Sequence, residues 1–255
     1  MTDAVPHLPL HEFDPNPEAV INPWFRRIPT DFPERAVACW FGDLLGEVTR
    51  GLESISRIEF EHGHHHIHVI EHRGHRIAVF NPGVGAPAAA SSLETVLALG
   101  ARKVIGCGGA GIIVPGFDVG HVVVPTGAIR DDGASYHYAP AGAEVTPHPD
   151  AVAAIDAVLT EAGIPHDRGL TWTTDAYYRE TAAKVARRRE QGAITVEMEA
   201  STMFAVAAFR GGVYGQLLYA GDDVSATDWD HRDWVKAGSA RERLFLLACE
   251  AVIRL

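Results

Sequence analysis

Residues 193–211 read Ala193-Ile194-Thr195-Val196-Glu197-Met198-Glu199-Ala200 and run on into STMFAVAAFRG, and their pattern decides the fold. The short apolar run over 193–197 predicts a buried strand, and 199–211 has the length and composition of an apolar helix. Residues 213–220, VYGQLLYA, return as a second buried strand. Strand, helix and strand in succession form the unit of a parallel sheet.

The alternation extends outward from there. Residues 168–174 predict a strand and 180–191 a polar helix, while 150–163 predicts a helix with Asp150 as N-cap and Gly163 as terminator. Earlier in the chain, 102–107 reads as a short buried strand ending in glycines, and 121–126 as a strand stopped by Pro125. A helix is expected over 87–100, between Pro87 and Gly100. Strand-like runs at 55–62, 65–72 and 75–81 precede it, the last two joined by a hairpin at Arg73-Gly74. Apolar residues at helical spacing make 34–50 a helix, interrupted by Gly42 and Gly46, and 238–254 reads as the closing helix. The expected architecture is a single α/β domain over 1–255, a mixed, largely parallel sheet with helices on both faces. Small-ligand sites on such sheets gather at the carboxyl ends of the strands.

Composition narrows the function. With 255 residues, 47% hydrophobic and 22% charged, the chain is that of a soluble globular protein. Its 25 glycines and 15 prolines are scattered and mark no linker. A net charge of −11 repels a phosphate backbone and supplies no polybasic segment for an anionic membrane, which argues against nucleic-acid and membrane partners. Cys39, Cys107 and Cys249 are too far apart in sequence for a Cys-x-x-Cys metal site and too few for a disulfide framework. The N-terminus has no signal-like apolar stretch, and no window approaches the roughly 20 apolar residues of a membrane span, so a cytoplasmic location is expected.

Three segments place glycines or acids where a buried strand is expected to stop. Gly106-Cys107-Gly108-Gly109-Ala110-Gly111 would let a ligand approach backbone closely, or would be a plain strand-to-loop turn. It lacks the Lys-Ser/Thr pair of a phosphate loop. Glu197 and Glu199 lie at a strand-to-helix junction, where a carboxylate can accept from the two hydroxyls of a diol or simply sit against a helix N-terminus. Asp222 and Asp223 close the 213–220 strand, and strand alternation lets only one of them face a given pocket. The alternative for either acid is capping the next turn.

In this order and spacing, these segments resemble the nucleoside phosphorylase superfamily, which includes purine nucleoside phosphorylases, uridine phosphorylases and methylthioadenosine/adenosylhomocysteine nucleosidases. The resemblance runs from about Arg73 onward through Gly83-Val84-Gly85-Ala86-Pro87, Gly108–Gly111, Val119–Val124, Thr174–Tyr178, Val196–Ala200 and Gly221-Asp222. It implies cleavage of a nucleoside by phosphate or water, with no cofactor or metal, in a homo-oligomer of two, three or six subunits. Glu199 would hold the ribose hydroxyls, Met198 would pack under the sugar and Glu197 would support it. Tyr177 would stack on the base, with Val84, Gly108, Gly109 and Ala110 shaping the pocket. Asp222 matches the acid that protonates a purine at N7, which the uridine enzymes lack.

The attacking group is where the chain departs from the family. Gly106 stands where phosphate-using relatives have an arginine, and Gly109 where they have serine or threonine. Their Gly-Asp-Pro-x-Arg motif is reduced to Phe13-Asp14-Pro15-Asn16-Pro17 on this reading. Replacement cations are sought in Arg26, Arg27, Arg130 and the histidines of 62–68, and Glu18 is the candidate to activate water. Phosphorolysis, hydrolysis and a non-catalytic nucleoside binder therefore all remain open. His62, His64, His66 and His68 share one face of a strand, a solvated edge or the makings of a metal site. Trp229 and Trp234 are placed either to form a lid after Asp222 or to pack around the last helix.

Overall fold

In the computed structural model, which describes residues 8–23, 31–61, 63–226 and 228–255, strand β5 (Lys103–Ile112) is the hub of the sheet. Its first half pairs in parallel with β1 (Arg35–Cys39), and its last residues pair antiparallel with β9 (Ala193–Glu197). Along its other edge runs β10 (Val213–Asp223), in parallel. β10 continues to β6 (Val122–Asp131), β6 to β8 (His166–Thr174), and β8 back to β9, so β5, β10, β6, β8 and β9 close a ring. From β1 an open wing extends through β4 (His75–Phe80) and β3 (Gly63–His72) to the edge strand β2 (Ser54–Phe60). The short β7 (Glu144–Val145) is added to β6.

Alternation along β1 explains why both faces carry helices. Val37 and Cys39 point into a core filled by α3 (Pro149–Glu161) and α6 (Gly238–Val252), with Leu45 of α1 (Gly42–Val48) at its edge. Ala36 and Ala38 point the other way, into the core of α2 (Ala86–Leu99) and α5 (Ala200–Arg210). A strand buried on both faces needs apolar residues throughout its buried part, as found over Ala36–Cys39. α4 (Ala182–Glu190) covers β9 through the buried Val185. Among the described residues no helix is long and apolar enough to cross a membrane.

The expected α/β architecture holds, with four local corrections. Residues 34–50 are a strand followed by a short helix, because pairing of 35–39 with both β4 and β5 outweighs a helical spacing of apolar residues. The glycines of 106–111 lie inside β5 rather than in a turn after it, since flanking strands supply the hydrogen bonds that a free turn would lack. Pro125 does not stop β6 but sits inside it, where the register against β8 shifts between Pro125 and Gly127. The N-cap of α3 is His148, whose ring accepts from the Asp150 N–H, with Pro149 at the first helical position. The hairpin at Arg73-Gly74 is as expected, both residues taking positive φ (48° and 79°).

Candidate active site

The carboxyl ends of β1, β5, β9 and β10 open on one cavity of about 680 Å³. Val84, Gly108, Gly109, Ala110, Tyr177, Glu197, Met198, Glu199 and Asp222 all line it, so residues spread over 139 positions of sequence meet in one place (222 − 84 + 1). The volume is in the range of a small-molecule site.

Glu197 and Glu199 are neighbours with different commitments. Glu197 ends β9, and its Oε2 accepts from the backbone N–H groups of Glu199 (2.7 Å) and Ala200 (2.6 Å), at the mouth of α5. Its Oε1 accepts from the Thr173 hydroxyl at 2.6 Å. The carboxylate thus satisfies amides that a helix start leaves without partners. Burial pushes its acid upward, against the Thr173 and amide hydrogen bonds. Glu199 holds the N-cap position of α5 without capping it. Its side chain turns to the loop after β4, where Oε1 accepts from the Gly85 N–H at 2.6 Å. Gly83 and Gly85 have φ of 81° and 93°, a backbone that suits glycine and brings that amide inward. Each carboxylate oxygen can accept twice, so Glu199 keeps acceptor capacity toward the cavity. Burial, and then the charge of Glu197, push its acid upward too.

The third acid comes from the end of β10, where the register against β5 shifts between Ala220 and Asp223. A bulge of this kind re-aims side chains. Asp222 lines the cavity and Asp223 does not: its Oδ1 instead accepts from the Ser225 N–H at 2.7 Å. Asp222 Oδ2 accepts from the Trp229 indole N–H at 2.7 Å, and Oδ1 lies 3.4 Å from where a Cβ on Gly111 would be. A Cβ at Gly221 would stand 3.2 Å from the Ala110 carbonyl and 3.6 Å from Trp234, so glycine here accompanies the tryptophan packed beside it. Glu180, just before α4, faces the same space, and burial followed by the charge of Asp222 pushes its acid up to about 7.

The remaining wall is aromatic. Trp40, Phe41 and Trp234 line it, together with Gln216 and Arg241. Trp40 is fixed by its indole N–H, which donates to the Gly83 carbonyl at 2.8 Å. Arg241 on α6 is the only cation lining the cavity among the described residues. It donates to Asp43 and to the Tyr219 hydroxyl, each at 3.3 Å, and lies 5.4 Å and 5.6 Å from the Phe41 and Trp234 ring centres.

The expected phosphate and water ligands fare differently. Phe13–Pro17 and Glu18 do not line the cavity, and Glu18 is exposed beside Asn22. Another Gly-Asp pair, Gly42-Asp43, comes directly after the cavity-lining Trp40 and Phe41 and continues as Leu44-Leu45-Gly46, again without an arginine. Arg26, Arg27 and His62 lie outside the described residues. Arg130 is buried elsewhere, its guanidinium donating to Ser135 (3.0 Å), Pro140 (2.6 Å) and Ala139 (3.1 Å). His64, His66 and His68 stack in a row on β3, with ring centres 4.7 Å and 5.8 Å apart, away from the cavity. No group of three or more described side chains is arranged to hold a metal ion.

Sequence reasoning missed Trp40, Phe41, Glu180, Gln216 and Arg241. The first two were hidden by reading 34–50 as a helix, and the continuous apolar run Ala36-Val37-Ala38-Cys39 was the available signal. A single arginine on the closing helix gives no local signal at all.

The chain matches the family model described as the phosphorylase superfamily over residues 35–254. It is 28% identical over 188 residues to a guanosine phosphorylase of Halorubrum lacusprofundi, covering 71% of this chain and 78% of that protein. A uridine phosphorylase of Haemophilus influenzae is 29% identical over 152 residues, 54% of this chain and 60% of the relative. In fold, a purine nucleoside phosphorylase of Toxoplasma gondii in complex with immucillin-H superposes with a TM-score of 0.75 at 20% identity, covering 88% of this chain and 92% of that one. A uridine phosphorylase of Vibrio fischeri ES114 does so with a TM-score of 0.73 at 20% identity, covering 87% and 92%. With 220 of its 255 residues inside the family model (254 − 35 + 1), this chain belongs to the phosphorylase superfamily.

Proposed function

We propose that the protein cleaves the N-glycosidic bond of a purine nucleoside, Asp222 giving a proton to the departing base and Glu199 holding the ribose hydroxyls. The observation that carries this reading is that both carboxyls line one cavity of about 680 Å³. As the C1′–N9 bond breaks, its electron pair leaves with the base and positive charge spreads over C1′ and the ring oxygen. A proton delivered to N7 neutralises the leaving group, and hydroxyls fixed by Glu199 keep the sugar in place. Tyr177 offers a ring face for a flat heterocycle, and Met198 an apolar seat for the sugar. The acceptor oxygen then bonds to C1′. The guanosine phosphorylase relative and Asp222 support a purine; the uridine phosphorylase relatives are equally similar and keep a pyrimidine in the comparison.

Phosphate is the acceptor that the family suggests. A second reading, water, is favoured by position 106. A Cβ there would stand 2.2 Å from the Tyr214 hydroxyl and 3.3 Å from Gln216, so the space an arginine would need is filled. We place the enzyme in the cytoplasm as a homo-oligomer: Tyr177, Tyr178 and Val84 are 53%, 86% and 73% exposed around the cavity, a rim suited to cover by a neighbouring subunit.

The test is release of free base from guanosine, inosine, adenosine and uridine, with and without inorganic phosphate. Base only with phosphate indicates a phosphorylase, and base without it a nucleosidase. Binding without base release across the panel would leave a nucleoside-binding protein and remove the catalytic reading.

A further inference from the structure

Trp229 is 64% exposed, yet its one polar atom is committed inward, to Asp222 Oδ2 at 2.7 Å. The loop that carries it is tied down from both sides. Asp223 and Asp230 exchange backbone hydrogen bonds of 2.9 and 3.0 Å, forming a bridge. Arg232 donates to the Gly221 carbonyl at 3.0 and 2.7 Å and to the Phe117 carbonyl at 2.7 Å. Arg232 and Asp233 both take left-handed φ, 48° and 49°, an uncommon conformation for such residues that their surroundings hold in place. His231 braces the indole edge to face, with ring centres 5.2 Å apart. An indole so fixed presents a rigid N–H to one carboxylate oxygen.

We propose that Trp229 is the positioning residue for the acid: its indole N–H anchors Asp222 at Oδ2 and directs the transferable proton to Oδ1. This rests on the assignment of Asp222 above. Position 221, just before the aspartate, is glycine and supplies no side-chain donor. The charged and titratable groups around the pair are Glu180 and, behind it, Lys184; Tyr219 and Asp223 on β10; and His231 and Arg232 on the loop. Of these Arg232 is engaged with carbonyls and Asp223, so the indole is the donor that Asp222 receives. On β5, a Cβ on Gly111 would stand 3.4 Å from Oδ1, so glycine there puts no side chain against that oxygen.

An N–H donor to a carboxylate stabilises the ionised form and so eases loss of its proton. Trp229→Phe keeps a ring and removes that donor. It should lower kcat about tenfold with KM within about threefold of wild type. A wild-type kcat, or a rise in KM alone, would overturn the proposal. Asp222→Asn measured alongside separates the two ideas: if it is inactive while Trp229→Phe behaves as wild type, only the role of Trp229 falls; if it is fully active, the acid assignment falls as well. A readout independent of turnover is the indole N–H signal, one of five from tryptophan, that disappears in Trp229→Phe. It should shift in Asp222→Ala, and a signal that stays in place would also overturn the proposal.

Discussion

The two walls of the cavity differ in how they treat charge. One carries Glu180, Glu197, Glu199 and Asp222, all acidic, and the other is built from Trp40, Phe41 and Trp234 with Arg241, the one cation among the described lining residues, already paired to Asp43. Burial raises the acids of Glu180, Glu197 and Glu199, so this side of the cavity holds protons that the same groups would lose in water. The aromatic wall can bound a neutral or weakly charged reactant. The contrast teaches that, on the proposed reading, the described lining accounts for the sugar and the leaving base more fully than for an anionic acceptor.

The sharpest way to break this contrast is Asp222→Asn, which should reduce purine nucleoside turnover by about 10³-fold while binding persists. Turnover near wild type in a base-release assay would show that the acidic wall is not the source of the proton. Glu199→Gln should cost about 10²-fold in kcat/KM, through loss of a charge-assisted contact to the ribose, and the loss should shrink on a 2′,3′-dideoxynucleoside. Equal losses on both substrates would detach Glu199 from the sugar.

Smaller effects probe the aromatic side and the fringe of the acidic one. Gly106→Ala should lower stability by about 2 kcal/mol in denaturant melts, since its Cβ would collide with the buried Tyr214 hydroxyl. An unchanged midpoint would mean that room for a side chain exists there after all. Glu180→Gln should be neutral to stability below about pH 4.5 and stabilising by about 1–2 kcal/mol above pH 7, after discounting for solvent screening. The sign follows from a carboxyl raised to about 7 on folding: the folded state binds the extra proton, so wild-type stability falls as pH rises through that window. A parallel pH–stability curve for the variant would refute this origin.

Much of this was legible in the residues themselves. The run from Ala193 to Ala220 announces a strand, a helix and a strand, and the structure has β9, α5 and β10 there. Acids at the ends of apolar strands single out Glu197, Glu199, Asp222 and Asp223 as candidates, while the choice of Glu199 and Asp222 among them rests on the family resemblance and not on spacing. Glu197 was ambiguous, and the structure shows it serving the first amides of α5. The glycines of β5 were misread because a strand whose side chains are absent has no alternation to detect; only the neighbours β1, β9 and β10 make it one. Arg241 reaches the cavity from the closing helix, a contact made by tertiary packing that no local pattern encodes.

The shift of register between Ala220 and Asp223 decides which of two adjacent aspartates looks inward. Deleting a single residue from that short stretch would exchange their directions, sending Asp223 into the pocket and Asp222 out toward the loop. An aligned acidic pair would survive such a deletion on paper, while the inward carboxylate and the Trp229 indole that now donates to Asp222 would no longer meet. The trait to compare between related chains is thus the spacing from Tyr219 to the second aspartate, more than the presence of either acid.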